Sequence, residues 1–211
     1  MNYDKEIKDV TEYIERMSTT RIYSPMTLDG NIIRDGKRSY KDQNKRIHPI
    51  ISKIKTGGTL LDLGCNVGYI MKEIIKERQV KATGVDHNNE LIKLCKDNFE
   101  LEEINVSLVC DDIIKFINKC MEQKIKYDYV LFLSVFDFDT TMMILDNLLK
   151  ITRRRLFLEP TNHEKMTAQE QKERYKISKL KDYRSSLLAF TDYQDRGLYM
   201  IFKEKTNVKY K

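Results

Sequence analysis

The sequence predicts an α/β fold: a doubly wound, mostly parallel sheet closed by a C-terminal antiparallel hairpin. Three observations carry this reading. From Thr59 onward, short apolar runs alternate with stretches of helical periodicity, the pattern of repeated strand–helix units. Tyr129–Val135 is an almost unbroken apolar run, as expected of a strand covered on both faces. Near the end, Leu187–Thr191 and Leu198–Phe202 flank the polar stretch Asp192–Gly197, which reads as a hairpin.

The elements follow in order. Tyr3, Ile7, Val10, Ile14 and Met17 recur at helical steps, so an amphipathic helix opens the chain. Ser18–Asp42 is polar and holds Pro25, Gly30 and Gly36, which predicts loop or a short hairpin. Ile47, Ile50, Ile51 and Ile54 line a second helix, with Pro49 expected in its first turn or kinking it, and Thr56-Gly57-Gly58 ending it. Strands are then expected at Thr59–Leu63, Lys81–Asp86, Val106–Cys110, Tyr129–Val135 and Arg155–Leu158. Helices are expected between them at Tyr69–Arg78, Asn88–Phe99, Ile113–Met121 and Thr140–Ile151, with a polar helix over Glu164–Asp182. The division expected is a helical or lid-like extension over 1–55 and one principal domain over 56–211.

Composition narrows the class. The chain has 211 residues, 41% apolar and 33% charged, which is enough apolar material for a real core. No apolar run approaches the roughly 20 residues that span a bilayer, and the N-terminus lacks a secretory apolar stretch, so a cytoplasmic location is expected, with no membrane partner. Cys65, Cys95, Cys110 and Cys120 form no CxxC pair and lie in apolar stretches; reduced, buried thiols are expected and no metal site. The net charge of +6 is compatible with an anionic partner, although 32 acidic residues temper it.

The strongest chemical signal is Leu61-Asp62-Leu63-Gly64-Cys65-Asn66-Val67-Gly68-Tyr69, placed where the first strand of the alternating region meets its helix. In open parallel sheets, ligands bind at carboxyl ends of strands near the reversal of strand order. Gly64 and Gly68 permit close backbone approach, and Asn66 tolerates the left-handed conformation. A dinucleotide fingerprint would need glycine at 66 and 69, where this chain has Asn66 and Tyr69, so a nicotinamide-dependent dehydrogenase is disfavoured.

The D-x-G-x-N-x-G spacing instead resembles motif I of class I S-adenosylmethionine-dependent methyltransferases, with their Rossmann-like fold. The resemblance covers about residues 59 to 160 plus the terminal hairpin. It implies S-adenosyl-L-methionine as cofactor. Asp86, ending the second strand, would accept from the ribose hydroxyls. Asp111 or Asp112, ending the third, would accept from the adenine amino group, and Asp62 would face the methionine ammonium. Gly64, Cys65, Asn66, Gly68, His87 and Ser134 complete the expected cofactor neighbourhood. Each acid taken alone also suits an ordinary turn or helix cap.

The order Leu28-Asp29-Gly30, Gly36-Lys37-Arg38, Lys45-Arg46 and Cys65-Asn66 is similar to a methyltransferase subgroup that includes tRNA wobble-uridine modifiers. The Gly-Cys-Asn-Val-Gly string also looks like RNA 5′-phosphate capping methyltransferases. Residues 34–55 carry eight Lys/Arg against two Asp, which suits a phosphate-contacting lid or simply a solvated helix face. Arg153-Arg154-Arg155 falls at the amino end of its strand, opposite the expected cofactor side, and reads as structural or as a remote anion contact, not catalytic. For proton transfer the candidates are Asp137, just past the fourth strand, and His163, just past Glu159-Pro160. The expected reaction is methyl transfer to an oxygen or nitrogen of a small polar metabolite or sugar. RNA is the alternative acceptor, and a non-catalytic subunit that binds a partner protein is the alternative class.

Overall fold

The computed structural model describes residues 22–161, 170, 173, 183–191 and 196–205. The expected opening helix, the helix at 164–182 apart from Glu170 and Glu173, and the hairpin tip at 192–195 lie outside these residues. A small antiparallel hairpin comes first, β1 (Met26–Leu28) and β2 (Asn31–Arg34), followed by α1 (Tyr40–Ile51). The alternating region is β3 (Thr59–Leu63), α2 (Tyr69–Arg78), β4 (Lys81–Asp86), α3 (Asn89–Leu101), β5 (Ser107–Cys110), α4 (Ile113–Glu122), β6 (Tyr127–Asp137), α5 (Phe138–Ile151) and β7 (Thr152–Thr161). The hairpin β8 (Tyr183–Thr191) and β9 (Arg196–Lys205) follows.

Seven strands form one sheet in the order β5-β4-β3-β6-β7-β9-β8. The pairs β3–β4, β3–β6, β4–β5 and β6–β7 are parallel, and β7–β9 and β8–β9 are antiparallel. Strand order therefore reverses between β3 and β6, which opens a crevice at their carboxyl ends. Strand alternation divides the core into two layers. Leu61, Leu63, Val130, Phe132, Leu156 and Leu158 face α4 and α5. Leu60, Leu131, Leu133 and Phe157 face the other way, toward α1 and α2. Asp62 and Glu159 share strand parity with this second set, so both carboxylates fall on the α1 side.

Helix α1 begins earlier than the isoleucine pattern suggests. Ser39 caps it, its Oγ accepting from the Asp42 N–H. Pro49 consequently sits in the last turn rather than the first, and Ser52, not the Gly57-Gly58 pair, provides the C-cap. Gln43, Arg46, Ile47, Ile50 and Ile51 form its buried stripe. Each fully buried isoleucine contributes roughly 1.5–3 kcal/mol, which is what seats the helix on the sheet. The hairpin ahead of it is anchored by Lys72 of α2. That buried ammonium donates to the Thr27 carbonyl, to Asn98 Oδ1 at 2.7 Å and to Glu102 Oε1 at 2.6 Å.

Of the four cysteines, Cys65, Cys95 and Cys120 are buried as expected. Cys110 is not. It ends β5 at the sheet's edge and is exposed, its Sγ 3.6 Å from the His87 carbonyl. Among the described residues, no helix is long and apolar enough to cross a membrane.

Candidate functional site

A cavity of about 260 Å³ opens at the switch point. Its floor is the β3–α2 loop, with Asp62, Gly64, Cys65 and Asn66; its walls include Asp86, His87, Leu133, Ser134 and Val135; Tyr23, Ser24 and Arg46 close it from the N-terminal extension.

Three left-handed residues shape the floor: Gly64 at φ 79°, Asn66 at φ 52° and Gly68 at φ 77°. At Gly64 and Gly68 a side chain also has no room. A Cβ on Gly64 would stand 2.8 Å from Val135 Cγ2, and one on Gly68 2.5 Å from Cys95 Sγ. Asn66 adopts the turn and uses its side chain. Its Oδ1 accepts from the N–H groups of Tyr23 at 3.1 Å and Ser24 at 3.3 Å, while its own N–H donates to Asp86 Oδ2 at 3.0 Å. Asp86 Oδ1 accepts from the Asn88 N–H, so both carboxylate oxygens are held in fixed directions. His87 is exposed at the rim, its Nδ1 3.5 Å from Asp86 Oδ1.

Asp62 is buried, and among the described residues its carboxylate accepts no hydrogen bond. Burial pushes its pKa up to about 7, with Arg46 opposing and Asp86 adding to the rise.

The largest departure from expectation lies in the basic segment. Arg38 and Arg46 are neither a solvated face nor a phosphate-facing pair; both are buried against Glu159. Arg38 grips that carboxylate with two nitrogens, Nη2 to Oε1 at 2.8 Å and Nη1 to Oε2 at 3.3 Å. Arg46 reaches Oε2 at 3.5 Å and Ser134 Oγ at 3.3 Å through Nη1, and Gln43 Oε1 at 2.6 Å through Nη2. Its Nε is buried without a hydrogen-bond partner. Burial lowers the Arg46 pKa to about 10, and the neighbouring Arg38 cation works in the same direction against Glu159. For Glu159, burial acts upward, but the two guanidiniums outweigh it and hold the pKa below the usual value. Ser134, at φ 60° where the β6–β7 register shifts, donates to Glu159 Oε1 at 2.8 Å.

The remaining expected residues are placed elsewhere. Gly68, Asp111 and Asp112 are not among the cavity's lining residues. Gly68 is the N-cap of α2. Asp112 caps α4, its Oδ1 accepting from the Lys115 N–H at 3.0 Å, while Asp111 directly follows β5 beside Asp86, its N–H donating to the Asp86 carbonyl. Asp137 caps α5; Oδ1 accepts from the Thr140 N–H and Oδ2 from its hydroxyl. His163 lies outside the described residues. Two arginines of the triplet make contacts at their strand's amino end: Arg154 faces Asp128 at 3.4 Å, and Arg155 donates to the Lys53 carbonyl.

A family model described as "Methyltransferase domain" matches residues 54–205. The chain belongs to this methyltransferase family. An uncharacterized RNA methyltransferase of Mycoplasma mobile is 28% identical over 119 residues, covering 54% of this chain and 32% of that protein. A polyamine aminopropyltransferase of Oceanobacillus iheyensis is 28% identical over 92 residues, 43% of this chain and 18% of that one. The chain thus spans a third or less of these curated relatives. In fold, it resembles the SAM-dependent methyltransferase from Agrobacterium tumefaciens, with TM-score 0.64 at 15% identity over 90% of this chain and 72% of that one.

Proposed function

We propose that this methyltransferase domain transfers a methyl group from S-adenosylmethionine to an oxygen or nitrogen of a polar acceptor. The observation that carries the reading is the pairing of Asp62, a buried carboxylate facing the cavity with no donor, with Arg46, a buried guanidinium there with an unpartnered Nε. An amino-acid end, with one ammonium and one carboxylate, satisfies both at once. Asp86, at the neighbouring strand end, suits the two ribose hydroxyls. Asp111 or Asp112 would take the adenine amino group; each already accepts one backbone N–H through Oδ1, Asp111 from Asp112 and Asp112 from Lys115, and has its Oδ2 for the ligand.

The cofactor's sulfonium supplies an already electrophilic methyl group. The protein's task is then alignment and exclusion of water, which is positioning catalysis. Tyr23 and Ser24 close the cavity above the floor, and Arg46 and Glu159 fix Ser134 at its wall. Asp137 would have to leave its cap to take a proton; His163, past the end of β7, is the other proposed acceptor.

For the acceptor, a small polar metabolite or sugar is the first reading. RNA is supported by the similarity to the Mycoplasma mobile RNA methyltransferase and by the pI of about 9.0. Calorimetric titration with S-adenosylhomocysteine, then with NAD, tests the cofactor. Binding of the former alone is expected; binding of neither favours the partner-binding subunit, and binding of NAD overturns the assignment. Product mass distinguishes methyl from aminopropyl transfer, and incorporation of labelled methyl into RNA or into metabolite pools separates the acceptors.

A further inference from the structure

We infer that a second groove, at the opposite end of β6 from the cofactor cavity, binds a single-stranded RNA segment. This rests on the RNA reading of the acceptor.

The groove has a volume of about 980 Å³. It is bounded by the end of α4 and the turn that leads from it to β6, the C-terminal part of α5 and the first residue of β8. Among the described residues, Lys124, Lys126 and Lys150 line it, all three exposed, with Asp146 as the acid beside them. Asp146 Oδ1 accepts the Tyr183 hydroxyl at 2.8 Å. Lys150 donates to Asn147, and Lys124 and Lys126 have no carboxylate partner among the described residues.

Lysines near a helix C-terminus ordinarily complement its dipole. That accounts for Lys150, in the last turn of α5, but not for the other two. Lys124 and Lys126 lie beyond the end of α4, whose last carbonyls are already satisfied: Lys119 O by the Gln123 N–H, Cys120 O by Ile125 and Met121 O by Lys124.

The groove is not merely basic. Met121, Ile125 and the Tyr183 ring supply an apolar wall, and Ile125 is 41% exposed. The Tyr183–Asp146 bond holds that ring in one orientation. Cations that track a phosphate backbone, beside an aromatic surface on which a base stacks, are the two components of sequence-tolerant single-strand binding. The groove's Lys126, the residue before β6, and the cavity's Ser134, within it, stand eight residues apart, a span of about 26 Å at ~3.3 Å per residue. A polymer can engage both places, and a small metabolite cannot.

The test uses a fluorescein-labelled oligouridylate of about 20 nucleotides, longer than common single-strand site sizes. Anisotropy is measured across a salt series for the full chain and for K124E/K126E/K150E, with S-adenosylhomocysteine titration and far-UV circular dichroism as controls on folding. If the variant retains cofactor affinity and its spectrum, RNA affinity should fall about tenfold or more at low salt, and the salt slope by about 2, at ~0.7 per lost phosphate contact. RNA binding unchanged in the variant overturns the groove and leaves the RNA reading standing. Absence of RNA binding by a wild-type protein that binds S-adenosylhomocysteine overturns both. If the triple variant fails to fold, the single variants K124E and K126E carry the same comparison, each expected to lower the slope by about 0.7.

Discussion

The state of Asp62 gives the most direct quantitative check on the site. With its pKa pushed up to about 7, this carboxyl is mostly protonated at pH 6 and mostly ionised at pH 8 in the ligand-free protein. A ligand ammonium needs the ionised form. Affinity for S-adenosylhomocysteine should therefore weaken about tenfold for each pH unit below 7, or ~1.4 kcal/mol per unit. Binding near pH 6 should release close to one proton, because the ammonium draws the carboxyl back toward its ordinary range. Titration in two buffers of different ionisation enthalpy counts that proton directly. Asp62→Asn should bind more weakly at pH 7.5 and lose the pH slope, whereas His87→Gln, at the exposed rim, should keep it. A flat profile between pH 5.5 and 7.5 without proton release would refute the placement of the ammonium on Asp62. The same shift has a stability consequence of definite sign. The native state holds this proton more tightly than the unfolded chain. The contribution is therefore full below the unfolded carboxyl value of about 4 and is lost as pH rises through about 7. Asp62→Asn should accordingly stabilise the ligand-free protein more at pH 8 than at pH 5, read from urea midpoints.

Other expected outcomes are simpler. Asp86→Ala should weaken S-adenosylhomocysteine binding by about 10²-fold or more, since two charge-assisted hydrogen bonds are worth ~1.5–3 kcal/mol each; wild-type affinity in a calorimeter would remove the ribose assignment. Gly68→Ala should cost roughly 2–4 kcal/mol in urea unfolding, because the methyl group meets Cys95 Sγ at 2.5 Å in a left-handed backbone. Glu159→Gln leaves Arg38 and Arg46 buried without their counter-charge and should cost about 3–5 kcal/mol; a loss below ~1 kcal/mol would show that the cluster is hydrated.

The alternating region was legible because its signals are local. Apolar runs ending in aspartate or glycine place β3, α2 and β4 at the same residues in sequence and structure. Strands β6, β7 and β9 run longer than their apolar stretches. β6 begins at Tyr127, β7 at Thr152, and β9 spans Arg196–Lys205, because ladder pairing with neighbouring strands continues past the apolar run. The buried Arg38–Glu159–Arg46 cluster was not legible, because its members stand more than a hundred positions apart and meet only once β7 and α1 are packed. Two signals did exist. Glu159 directly follows Leu156-Phe157-Leu158 on an interior strand, and Arg46 falls in the same stripe of α1 as Ile47 and Ile50. A charge in such a position needs a partner. Cys110 fails in the opposite way: an apolar strand at the sheet's edge does not bury every side chain.

Asn66 also bears on how the protein can change over time. Glycine there would relax the backbone, as a left-handed asparagine costs on the order of 1 kcal/mol. It would also remove the oxygen that accepts from the Tyr23 and Ser24 N–H groups. An Asn66→Gly exchange would thus loosen the extension without disturbing the loop's path. Because the donors at 23 and 24 are backbone N–H groups, which every residue but proline carries, the clasp constrains position 66 to a short side-chain acceptor while excluding only proline at 23 and 24.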